Sequence, residues 1–145
     1  MNIKTIDEKQ QEIIEEFSYF EDWMDKYEML IQLGKELPLI DEKFKIESKL
    51  IKGCQSQVWM HAEERDGKVF YTADSDAVIT KGLVSMVIKV LSGHTPEEIA
   101  QANLHFIEAI GLQNHLSPTR SNGLLAMIKQ MKLYAVALQQ QKINS

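Results

Sequence analysis

The chain has 145 residues, 44% of them apolar and 26% charged, with a formal net charge of −5. That length is enough for one domain with a buried core, and the composition is that of a globular protein. With 16 basic residues against 21 acidic ones and no Lys/Arg stripe, nucleic acid is not an expected ligand.

The start, Met1 to Glu8, has no apolar leader core, and no stretch has the length to span a bilayer. A lone cysteine suits a reducing compartment, so the expectation is a cytoplasmic protein that does not enter the membrane. No repeat, low-complexity tract or Gly/Ser/Pro linker divides the chain, and residues 1–145 read as one domain.

Thr5-Ile6-Asp7-Glu8 has the form of a capping box, and Ile6, Ile13, Ile14 and Phe17 follow at helical spacing. A second helix carries Trp23, Tyr27, Leu30 and Ile31 on one face, with Gly34 as its expected stop and Leu37-Pro38 beyond. Its aromatics read as core. Residues 39–48 read as a charged loop, and a short strand is expected from Lys49 to Lys52. From Val58 the residues alternate. Val58, Met60 and Ala62 face one way, Trp59, His61 and Glu63 the other, and Asp66-Gly67 signals a hairpin whose partner strand is Lys68–Ala73.

Ile79, Leu83, Met86, Val87, Val90 and Leu91 predict a helix, capped by Ser75 or Asp76 and stopped at Gly93. Thr95-Pro96-Glu97-Glu98 is a second capping box with proline at the first helical position. Leu104–Leu112 reads as a short, mostly buried element. Ser117-Pro118 opens a long last helix with the stripe Leu124, Ile128, Met131, Ala135 and Leu138, and the polar tail from Gln139 is expected to fray. The fold class is α+β: a small antiparallel sheet of about three strands packed with helices, ending in a long helix.

The single cysteine carries the chemistry. Cys54 lies in Gly53-Cys54-Gln55-Ser56-Gln57-Val58-Trp59, between a strand-like run and a polar turn. One thiol makes no internal disulfide and supplies too few ligands for a structural zinc or an iron–sulfur cluster. It can act as a nucleophile or carry a sulfur atom. Free cysteine is more often an inert small hydrophobe, and the Gly-Cys-Gln-Ser setting leaves both readings open. His61, His94, His105 and His115 stand in no metal-ligand spacing, and no metal site is expected. His61 is expected to face solvent and His105 to be partly buried. His115, just before the last helix, is the imidazole to watch for approach to Cys54. Arg120 lies in the first turn of that helix, where the dipole disfavours a cation. It reads equally well as a site residue or as a solvated charge.

The blocks Gly53-Cys54-Gln55-Ser56-Gln57-Val58-Trp59, Asp74-Ser75-Asp76-Ala77 with Lys81-Gly82-Leu83, and Gln113-Asn114-His115-Leu116-Ser117-Pro118-Thr119-Arg120-Ser121-Asn122-Gly123-Leu124 resemble the SufE family. So does Leu33-Gly34-Lys35-Glu36-Leu37-Pro38, and the resemblance covers nearly the whole chain. It implies a SufE/IscU-like fold and a sulfur acceptor and activator for a PLP-dependent, SufS-like cysteine desulfurase. Cys54 would take the persulfide sulfur and relay it to a SufBCD-like scaffold for iron–sulfur cluster assembly. By that resemblance the chain is a sulfur-transfer accessory protein rather than a stand-alone enzyme. It needs no cofactor of its own, since the pyridoxal phosphate belongs to the desulfurase. Gly53 would give the loop freedom, Gln55 and Ser56 would flank the thiol, Asp76 would cap the next helix and prop the loop, and Arg120 would steady the loop or a thiolate. The segment from Lys43 to Lys52 is more basic than the family pattern, which would bear on desulfurase choice. Two rivals are a thiol enzyme with its own small substrate, marked by a base such as His115 beside Cys54, and an adaptor whose thiol is incidental.

Overall fold

The computed structural model describes residues 4–144, the side chains at 113 and 142–144 apart. Met1 to Ile3 and Ser145, to which the expectations for a leader and a polar tail extend, lie outside the described residues. Helix α1 (Ile6–Ser18) begins at the expected capping box: the Thr5 hydroxyl accepts from the Glu8 N–H, and the Glu8 carboxylate accepts from the Thr5 N–H, each at 3.1 Å. It buries Ile6, Ile13 and Phe17. Helix α2 (Trp23–Lys35) is capped by Asp22, whose carboxylate accepts from the Met24 N–H at 3.0 Å.

Gly34 is not the stop expected from sequence. It is buried inside α2, and the helix ends after Lys35. The glycine serves a helix crossing instead. A Cβ on Gly34 would stand 3.1 Å from the Gly82 backbone nitrogen, and one on Gly82 would stand 2.1 Å from the Leu30 carbonyl oxygen. Helices α2 and α3 (Val78–Leu91) therefore meet backbone to backbone, a separation that only a residue without a side chain permits.

Strands β1 (Val58–Arg65) and β2 (Lys68–Ser75) pair antiparallel from Val58↔Ser75 to Arg65↔Lys68. Asp66 and Gly67 turn the hairpin with φ of 54° and 81°, the double left-handed geometry of a type I′ turn. Among the described residues the sheet has two strands, not about three. The expected strand at 49–52 is reduced to one bridge, Leu50↔Trp59, with the Ile51 N–H donating to the Val58 carbonyl at 2.8 Å. A 3₁₀ turn (Glu47–Lys49) ends just before it and the Gly53 turn follows, so no second rung has room to form. The loop at 39–48 also holds a 3₁₀ turn at Glu42–Phe44.

Val58, Met60, Val69, Tyr71 and Ala73 line the buried face of the hairpin, and α3 is buried over most of its surface. Neither Ser75 nor Asp76 caps α3. Its N-cap is Ala77, which has no side-chain acceptor, while the Ser75 hydroxyl accepts from the Ala77 N–H at 3.2 Å and Asp76 turns to Gln57. Gly93, at φ 85°, lies just past the end of α3 as expected. Helix α4 (Pro96–Gln101) carries the second capping box, and α5 (Phe106–Ala109) is one short turn.

Helix α6 (Pro118–Asn144) runs through the stretch expected to fray. It buries Leu124, Met127, Met131 and Ala135. Two tyrosines pin it to the hairpin: the Tyr71 hydroxyl donates to the Met131 carbonyl at 2.6 Å, and the Tyr134 hydroxyl to the Met60 carbonyl at 3.3 Å. The architecture is the expected α+β arrangement with a long C-terminal helix. Gly82→Ala is expected to destabilise the fold by at least about 2 kcal/mol, read as a lower urea midpoint, because overpacking a rigid backbone contact has no flexible side chain to absorb it. A loss below about 0.5 kcal/mol would show that α2 and α3 can separate freely.

Candidate functional site

Cys54 sits at the tip of the turn between the Leu50 bridge and β1. Gly53 takes φ 96°, and a Cβ there would come within 3.2 Å of the Ala126 side chain, so the turn presses on α6 in a conformation that suits glycine. The Cys54 side chain is half-buried. Its thiol donates to the Gly123 carbonyl, with sulfur and oxygen 3.5 Å apart. A Cβ on Gly123 would stand 3.4 Å from that sulfur, so the second turn of α6 offers it bare backbone.

A cavity of about 180 Å³ opens beside the thiol, and Gln55, Ser56, Thr80, Arg120 and Met127 are among its lining residues. The far side of the turn is tied to the start of α3. The Gln57 N–H donates to the Asp76 carboxylate at 3.0 Å, and the Asp76 N–H donates back to the Gln57 carbonyl at 3.3 Å. The Ser56 and Thr80 hydroxyls share a hydrogen bond of 3.2 Å. The turn is thus clasped by α3 on one side and seated on α6 on the other.

Just behind the clasp, Asp74 gathers three donors: Lys45 at 2.6 Å, Lys81 at 3.3 Å and the Ser75 N–H at 2.8 Å. Partial burial opposes the charge on Asp74, yet the hydrogen bonds from Lys45, Ser75 and Lys81 win and hold its carboxyl below the usual range. Arg120 occupies the first turn of α6, exposed, at the cavity mouth. Its N–H donates to the Ser117 hydroxyl at 3.3 Å, and among the described residues no carboxylate is in a salt bridge with it.

Of the residues singled out from sequence, Gly53, Cys54, Gln55, Ser56, Asp76 and Arg120 come together here. His115 does not. It is exposed, stacks on Trp23 with ring centroids 3.8 Å apart, gives its carbonyl to the Tyr27 hydroxyl, and lies outside the cavity. His61, expected to face solvent, stacks on Phe44 at 3.9 Å, with Nδ1 buried and without a hydrogen-bond partner among the described residues. His105, expected to be partly buried, is exposed, and His94 is buried. Six lining residues were not expected at the site from sequence: Ala77, Thr80, Leu83, Thr119, Gly123 and Met127. For Gly123 the signal was present, a glycine placed early in a helix at a cost of about 1 kcal/mol without an evident local reason. Among the described residues, no group of three His, Cys, Asp or Glu is placed to hold a metal.

Burial pushes the Cys54 thiol above its ordinary pKa. A half-buried thiol with its pKa raised by burial is not an activated nucleophile at rest. The family profile described as "SufE: Fe-S metabolism associated domain" matches residues 11–135, and the chain belongs to the SufE family. It is 44% identical over 127 residues to an uncharacterized SufE-like protein of Synechocystis sp., covering 88% of this chain and 80% of that one. It is 43% identical over 140 residues to SufE-like protein 1, chloroplastic/mitochondrial, of Arabidopsis thaliana, covering 94% of this chain but 37% of the plant protein. The solution structure of a hypothetical protein from Thermus thermophilus shares the fold, with a TM-score of 0.76 at 20% identity, over 91% of this chain and 96% of that one. No helix among the described residues is long and apolar enough to cross a membrane.

Three outcomes follow from the seating of the thiol. Iodoacetamide alkylation of Cys54 is expected to be slow near pH 7 and to rise with a midpoint above that of the unfolded thiol, whereas a midpoint at or below it would show an activated thiolate at rest. The raised pKa means that the fold loses stability as pH climbs from the ordinary thiol range through the raised value. Asp76→Ala, which removes the acceptor for the Gln57 N–H, is expected to raise the alkylation rate several-fold with far-UV circular dichroism unchanged. An unchanged rate would show that the clasp does not hold the turn.

Proposed function

We propose that this chain, as one SufE-like unit, accepts sulfur from a PLP-dependent, SufS-like cysteine desulfurase through Cys54, activates that enzyme, and passes the sulfur to a SufBCD-like scaffold. The observation that carries the reading is the seated thiol of a SufE-family chain: one cysteine on a glycine turn, braced by Asp76 and Ser56, with a small cavity at its side. The transfer needs no outside oxidant or reductant. The Cys54 thiolate attacks the outer sulfur of the enzyme persulfide, a new S–S bond forms as the old one breaks, and the enzyme cysteine leaves as a thiolate. Cys54 then holds the persulfide.

Docking has to supply what the resting site withholds. Contact with the partner must turn the thiol outward and favour its thiolate, and Arg120 at the cavity mouth is the cation positioned to steady that charge. The thiol-enzyme reading loses ground because no imidazole lines the cavity. A lone free thiol also favours a reducing compartment such as the cytoplasm, although the plant relative's name places that protein in chloroplast and mitochondrion.

Intact-mass spectrometry after incubation with a cysteine desulfurase and cysteine tests the proposal. One sulfur atom should add to the protein, vanish with reductant and be missing in Cys54→Ser, and Arg120→Ala should acquire it more slowly. Undiminished desulfurase stimulation by Cys54→Ser, with no adduct on the parent chain, would make the protein an adaptor.

A further inference from the structure

The acidic charge of this chain is not spread evenly. Residues 7–28 hold nine carboxylates against two lysines, a net of −7, while the whole chain carries −5. The rest of the molecule is therefore net basic, and the acid is concentrated on α1 and the first half of α2. The same two helices form an open groove of about 720 Å³. Its apolar surface comes from Tyr19, Phe20, Met29 and Ile31, and Glu16, Asp25 and Glu28 stand around it. Tyr19, the C-cap of α1, is 83% exposed, and Met24, on α2 outside the groove lining, is 70% exposed. Large apolar side chains so open to water beside a concave surface are the mark of a docking site.

The charges fix the kind of occupant. Among the described residues none of Glu16, Asp25 and Glu28 is in a salt bridge, and Lys4, whose field reaches Glu16, is already paired to Glu12. Among the described residues no lysine or arginine lines the groove. Three carboxylates outside any salt bridge, of which Glu16 also borders a cavity lined by Lys4, Lys9 and Lys89, stand around an apolar floor and would repel an acidic segment and attract a basic one. A concave apolar surface between the end of α1 and one face of α2 also offers a seat for the apolar face of a helix. We propose that this groove docks a partner protein through a basic amphipathic helix, with Leu- or Ile-like anchors at i, i+3, i+4 and i+7 on the floor and Lys or Arg against the carboxylates. The groove shares no lining residue with the Cys54 cavity, so the inference does not rest on the sulfur-transfer reading, and it provides a tether that leaves the thiol turn free.

A synthetic amphipathic helix of Leu and Lys, titrated into the full chain and followed by amide NMR, tests the proposal against a matching helix of Leu and Glu. The Lys peptide should shift amides of residues 16–32 and leave those of the Cys54 turn unmoved, and the Glu peptide should not bind. Combined Glu16→Gln, Asp25→Asn and Glu28→Gln should weaken binding by about tenfold. Tyr19→Ser should weaken it too with the charge unchanged, and all four positions are exposed, so thermal unfolding should stay as in the parent. Shifts scattered over other faces, or equal affinity for the triple variant, would reduce the interaction to general attraction and overturn the proposal. A concentration-dependent dimer in sedimentation that Tyr19→Ser dissolves would assign the groove to a second copy and overturn it equally.

Discussion

The rest of the site depends on the contact of the Cys54 thiol with the second turn of α6. A side chain at position 123 would share the space around the sulfur; glycine leaves the carbonyl as its neighbour, 3.5 Å away. That contact takes the thiol half out of water, and burial then raises its pKa. A protonated, half-hidden thiol is slow to meet small oxidants and electrophiles, since thiolate is the reactive form. The same seat makes the thiol conditional: whatever turns it outward also restores its access to solvent. If the cargo is the reactive sulfur atom proposed above, such conditionality would separate delivery from loss.

For the seat to be reliable, three elements distant in sequence must hold their places. The turn itself spans few residues and has one ladder rung behind it, at Leu50↔Trp59. Its position is imposed from outside. Helix α3 brings Asp76 and Thr80 to one side, and α6 brings Gly123 and Ala126 to the other. Helix α3 is fixed by its crossing with α2, where Gly82 meets the Leu30 carbonyl, and α6 by the hydroxyls of Tyr71 and Tyr134. A buried glutamine closes the other end of the molecule: Gln10 accepts from the Phe106 N–H and donates to the Asn103 carbonyl, each at 3.1 Å, tying α1 to α5. The packing far from Cys54 thus serves the geometry around it.

How much of this could be read in advance follows from how local each signal is. The boxes at Thr5–Glu8 and Thr95–Glu98 and the Asp66-Gly67 hairpin are written within four residues, and the structure has each of them. Gly34 misled because a glycine near a helix end has two uses, a left-handed stop or a close crossing, and only the partner at Gly82 decides between them. Asp76 misled in part for the same reason. Its carboxylate suits a helix cap, but the Gln57 N–H lies nearer, so it props the turn and leaves the cap to Ala77. His115 lies within the third block of the sequence, yet its ring is claimed by Trp23. Gln10 gave no sign of burial, because a polar residue on an amphipathic helix reads as solvated until its two distant backbone partners are known.

In the proposed transfer, sulfur passes through Cys54 rather than around it. The most direct test is a pulse and chase with cysteine labelled in sulfur, first loading the protein from a desulfurase, then removing that enzyme and adding a cluster scaffold. Label found on the Cys54 peptide after the pulse should leave it during the chase in step with its appearance on the scaffold. A scaffold that receives labelled sulfur from the desulfurase while none resides on Cys54 would contradict that route.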